Sequence, residues 1–177
     1  QIEKLTETAI KNADASEESA ELIAKVVAVA SDELANKVVE EVSKSSTEEK
    51  QTLSAQVLKA IVDIDSGKID IINDDIKDTM IKQTIESAQN QAEGTGVQQT
   101  QDMTSIVSDI IVNTDTETGS KMIEELNNTE SESDLSLQII SDISEKDTTK
   151  LNVLSENNKE QIEKLTETAI KNADASE

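Results

Sequence analysis

The sequence predicts an all-α protein, an α-solenoid in which short helical hairpins stack side by side, and three observations carry that prediction. Apolar residues recur at spacings of three and four, as in Ile2, Leu5, Ala9 and Ala13 or in Ile81, Ile85 and Ala88, which aligns them on one face of a helix. No stretch sustains the strict alternation of a half-buried strand. Residues 1–17, QIEKLTETAIKNADASE, return letter for letter at 161–177, and a fixed period is the mark of a repeat array.

The elements follow from their punctuation. A helix opens where Ser, Thr, Asp or Asn can accept the free N–H groups of its first turn. This places starts near Ser16, Ser31, Thr47, Ser66 and Asn73, then near Asp102, Asp115, Ser131, Asp147 and Asn157. Ser31-Asp32-Glu33-Leu34 and Ser46-Thr47-Glu48-Glu49 put acids in a first turn, and Lys44 lies toward an end, both matching the helix dipole. The resulting helices run about 8 to 18 residues with connections of about two to six, lengths that suit antiparallel neighbours. Glu93-Gly94-Thr95-Gly96-Val97-Gln98-Gln99 holds two of the four glycines and is the expected joint.

The period itself divides into two halves. Lys25 to Ser43 lies ungapped on Asp109 to Asn127 at an offset of 84. Leu53 to Ile61 lies on Leu135 to Ile143, and Lys68 to Ile72 on Lys150 to Leu154, both at 82; Glu86-Ser87-Ala88 falls on Glu167-Thr168-Ala169 at 81. The expected organisation is therefore the end of a preceding repeat at 1–16, a first half-repeat at 17–96 and a second at 97–176, with 161–177 restarting a 160-residue period. Heptads of a coiled coil would be interrupted by these caps and by Gly67 and Gly119. The dense Ile and Val spacing argues against disorder.

Composition excludes several chemistries. The chain has no Cys, His, Pro, Phe, Tyr or Trp, and all 16 basic residues are Lys. That removes disulfides, thiolate ligands and thiol nucleophiles, the commonest near-neutral acid/base group, and bidentate phosphate recognition by Arg. A net charge of −22 without a single aromatic ring argues against nucleic acid as a partner. No run approaches the roughly 18 apolar residues of a membrane span, so no membrane insertion is expected. The core must come from Ile, Val, Leu and Ala, and with so lean a core, stacking on neighbours has to supply what one copy lacks.

One motif invites a metal. Asp63-Ile64-Asp65-Ser66-Gly67-Lys68-Ile69-Asp70 alternates carboxylates before a glycine, a pattern that hard cations favour, which makes Asp63, Asp65 and Asp70 candidate calcium ligands. The spacing is one residue short of an EF-hand loop and lacks its closing Glu. In the other half the positions become Glu145, Asp147, Thr149 and Asn152, so a capped turn is the competing reading. Asn113 to Gly119 has similar acidic spacing and reads as a helix connection. Glu40/Glu41 and Glu124/Glu125 are expected as solvated surface, since paired catalytic carboxylates need a cleft that separates their pKa values. Met80, Met103 and Met122 are expected in the core. Asn127-Asn128-Thr129 fits the short N-glycosylation triplet. No catalytic or cofactor-binding residue is expected.

In its recurring 160-residue unit and its acidic, Cys-free, Lys-only composition, the whole chain resembles the stalk regions of giant repetitive bacterial surface proteins and adhesins. That resemblance implies an extracellular or cell-surface spacer or self-assembling fibre whose partners are neighbouring copies of the same repeat. AELIAKVV followed by SDELANKVVEEV is also similar to superhelical helix-hairpin domains. The alternative is therefore an intracellular α-solenoid scaffold for protein–protein binding.

Overall fold

Local capping sets most helix starts. The computed structural model describes residues 8–44, 47–94, 102–129 and 135–175, with side chains described through 167. Residues 8–11 are helical, and then come α1 (Glu17–Val29), α2 (Asp32–Ser43), α3 (Glu48–Asp65), a single 3-10 turn (Ser66–Lys68) and α4 (Asp74–Ala92). They are followed by α5 (Met103–Asn113), α6 (Thr116–Asn128), α7 (Leu135–Lys146), α8 (Thr148–Asn157) and α9 (Lys159–Ala175). Among the described residues the structure is all-helical, without strands.

Side chains of Ser16, Ser31, Asp102, Asp115 and Asp147 each accept a backbone N–H from the first turn that follows, as the sequence predicts. Thr47 caps α3 by backbone geometry alone. Two starts shift. Ser66 does not open a helix of its own: α3 runs on to Asp65, whose carboxylate accepts Gly67 N–H at 3.2 Å and tightens the chain into the 3-10 turn. The start near Asn157 moves to Asn158, whose carbonyl accepts Ile162 N–H at 3.0 Å, while Asn157 belongs to α8. The start near Ser131 lies outside the described residues, as do 1–7 and the greater part of the expected joint, 95–99. At the near side of that joint Gly94 closes α4 with a φ of 66°, a left-handed conformation that glycine adopts without a Cβ clash.

The chain divides into two compact units, residues 1–84 and 85–177, with the division falling inside α4. In the first unit α1 packs on α3 and α2, and α2 packs on α3. Val27, Val38, Val39, Val42, Leu53, Val57, Leu58 and Ile61 are all buried there, each aliphatic side chain contributing about 1.5–3 kcal/mol of transfer free energy. A polar link runs through this core. Ser54 donates to the Gln83 carbonyl oxygen at 2.6 Å, and the Gln83 amide donates to the Ser43 carbonyl at 2.9 Å. Both partners being satisfied, the burial of Ser54 and Gln83 costs little.

In the second unit α5 packs on α7 and α6, α7 packs on α8, and α9 lies against α6, α7 and α8. Val107, Ile110, Ile111, Met122, Ile123, Leu126, Leu135, Ile139 and Ile143 form its core. Met80, Met103 and Met122 are each fully buried, as expected. No helix among the described residues is long and apolar enough to cross a membrane.

The same tasks recur at fixed offsets. Asp65 and Asp147 cap their following turns with backbone angles of φ −159°, ψ 92° and φ −154°, ψ 91°. Lys68 Nζ donates to the carbonyl of Ala30, at the end of α1, and Lys150 Nζ donates to the carbonyl of Thr114, at the end of α5. A terminal carbonyl lacks an intrahelical partner, so each lysine ties down an end that the helix leaves open.

Candidate functional site

The acidic turn is committed to folding. Asp63 sits on the last turn of α3 and pairs with Lys59 one turn back at 2.6 Å. Asp65 is spent on the Gly67 N–H, and Asp70 lies exposed beyond the 3-10 turn, its N–H bonded to the Gly67 carbonyl at 3.3 Å. Among the described residues no three carboxylates are gathered to hold a metal ion. The Asn113–Gly119 segment is likewise absorbed: Asp115 accepts Thr118 N–H at 2.6 Å, and the Asn113 amide donates to the Asp109 carbonyl at 2.9 Å.

One glutamate departs from the solvated surface expected of it. Glu41 keeps only 8% of its side chain exposed, and Lys44 on the next turn and Lys11 from the preceding segment approach it at 2.7 and 3.6 Å. The hydrogen bond from Lys44, reinforced by the charge of both lysines, outweighs burial and holds its carboxyl below the ordinary range. Lys150 is the opposite case. Burial pushes its ammonium below the usual lysine range, against the pull of Asp115 and Asp147.

Among the described residues, one feature with binding geometry is an apolar groove on the first unit, about 400 Å³ in volume. Ala9, Ile10 and Ala13 form one wall; Ser19, Leu22, Ile23 and Val26 of α1 form the other, with Val38 of α2 between them. Lys50 holds the first wall by donating to the carbonyls of Ile10 and Ala13 at 3.2 and 2.7 Å, where that helical segment ends. Ser16 caps α1 through Ser19 N–H at 3.2 Å and sets the other. At the end of the groove Asp14 accepts the hydroxyls of Ser16 and Ser19 at 2.7 and 2.6 Å. These bonds, Ser19's foremost, lower its pKa. Among the described residues no ionisable side chain lines the groove, so what they offer a partner is hydrophobic contact.

Leu22 is 58% and Val26 39% exposed beside the groove. Periodicity identifies both as apolar-face residues and says nothing of what covers them. The lysines that bond helix ends had one legible signal, since Lys68 and Lys150 fall on each other at the 82-residue offset. Set against known protein families, curated proteins and solved structures, the chain matches none.

Proposed function

We propose that this chain is a structural segment of a long extracellular rod or stalk, an α-solenoid whose stacked hairpins act as a spacer in a tandem-repeat surface protein. The observation that carries the reading is the return of seventeen residues after 160 positions, with the caps Ser31/Asp115 and Asp65/Asp147 and the lysine-to-carbonyl bonds of Lys68 and Lys150 recurring at 82 to 84 within that period. A repeat of this kind buries its apolar stripes against the next copy along, so its length scales with copy number. The charge of −22 keeps such an array soluble and discourages lateral clumping.

The test is solution scattering from chains of one, two and four 160-residue periods. The reading expects the long dimension to rise linearly with copy number at constant cross-section, and particles that stay compact would sink it. Antibody labelling of intact cells tests the extracellular assignment, which fails if label is gained only after permeabilisation.

A further inference from the structure

The two halves treat the same apolar stripe differently. On α1 the stripe is Leu22 and Val26, preceded by Ser19; at the 84-residue offset the counterparts on α5 are Ile106 and Ile110, preceded by Met103. Ile106 is 3% exposed and Ile110 and Met103 are fully buried, whereas Leu22 and Val26 lie open to solvent. A second observation concerns the segment facing α1. Residues 8–13 are identical to 168–173, and in that later occurrence they belong to α9, which this chain seats on α6, α7 and α8 with Leu165 buried. In the earlier occurrence Ala9 and Ala13 line the open groove.

Resting on the repeat reading above, we infer that the groove along α1 is a docking surface for a second copy of this chain, which brings its C-terminal unit there in head-to-tail order. The surface that accommodates the start of this repeat is encoded in this chain, because α9, which carries it from residue 161, packs on α6, α7 and α8 with Leu165 buried. A groove whose described lining is apolar apart from Ser19 suits the aliphatic side chains of such a unit. Two copies at −22 each repel as separate molecules; joined in one chain, they meet at high effective concentration. A head-to-tail contact whose rotation does not close into a ring propagates along the array.

The test uses thiol labelling, which the Cys-free chain permits. L22C is placed in the full chain and in the same chain preceded by residues 1–160 of a second copy, with V29C as control. Val29 is 87% exposed and its counterpart Asn113 is also exposed, so V29C should label at one rate in both contexts. Labelling of L22C should slow by about tenfold or more when the copy precedes it, as for a site reachable only by local opening. Equal rates for L22C in the two contexts overturn the docking, as does equal slowing of V29C. Leu22 is exposed, so L22C should retain the parent's circular dichroism. Scattering from the same extended chain separates the two ideas: doubled length with unprotected L22C removes the docking and leaves the rod, and a compact particle removes the rod.

Discussion

Gly119 and Ala35 occupy corresponding positions, 84 residues apart, in α6 and α2, and both are buried. A methyl added at Gly119 would stand 3.2 Å from Leu154 Cδ2, 3.6 Å from the Ile111 carbonyl oxygen and 3.7 Å from Ile111 Cγ2. Only the first contact is tight, and it is made by the end of a flexible side chain. Alanine in a helix interior is favoured over glycine by about 1 kcal/mol, and burying the methyl adds about 0.8 kcal/mol. Displacing Leu154 by a few tenths of an ångström falls at the low end of overpacking costs, about 1 kcal/mol. G119A is therefore expected to stabilise the second unit by about 1 kcal/mol, the balance of those three terms. A35G has no such relief and should lose about 2 kcal/mol from the first unit. Urea titrations followed by far-ultraviolet circular dichroism, with hydrogen exchange assigning the change to a unit, measure both. Loss of more than about 1 kcal/mol in G119A would show that Leu154 has no room, and an A35G chain as stable as its parent would refute the argument from helix propensity and burial.

K150M keeps the aliphatic stem and removes the bond to the Thr114 carbonyl, so a loss of about 1 kcal/mol is expected in urea titration; K68M, whose bond is 3.4 Å long, should lose less. Because the Lys150 pKa is lowered in the fold, the unfolded chain binds more protons as pH approaches the usual 10.5. Parent stability relative to K150M should then rise with pH through that window. Glu41 has the acid counterpart: its stabilising contribution is present above the usual 4.5 and lost as pH falls through the depressed folded value. The stability difference between parent and E41Q should be flat at neutral pH and shrink only in acid; a difference independent of pH throughout would contradict the ion-pair assignment. D65A removes the cap on Gly67 N–H and should cost about 1 kcal/mol. The thermal melts should show the same loss with calcium as with chelator, and a loss seen only with calcium would restore Asp63, Asp65 and Asp70 as ligands.

Much of the helical layout was legible because capping is local. Ser16, Ser31, Asp102, Asp115 and Asp147 each need only a free N–H two or three residues ahead, a distance at which sequence and space are the same thing. The apolar stripes were legible for a similar reason, since period alone puts Val38, Val39 and Val42 on one face of α2. Ser66 misled because its hydroxyl competes with the Asp65 carboxylate next to it, and the carboxylate took the turn.

Tertiary structure decided what period cannot encode. Leu22 and Ile106 carry the same pattern in matched registers, yet one is open and the other closed, because exposure depends on which element lies above a residue. The Lys68 to Ala30 bond spans 38 residues, and the ion pair between Lys11 and Glu41 joins two segments 30 residues apart. The sequence determined which residues form helices and which faces seek cover, through forces that act within a turn or two. Which of those faces found cover was decided by packing between helices distant in the chain, where burial and charge pairing depend on three-dimensional neighbours.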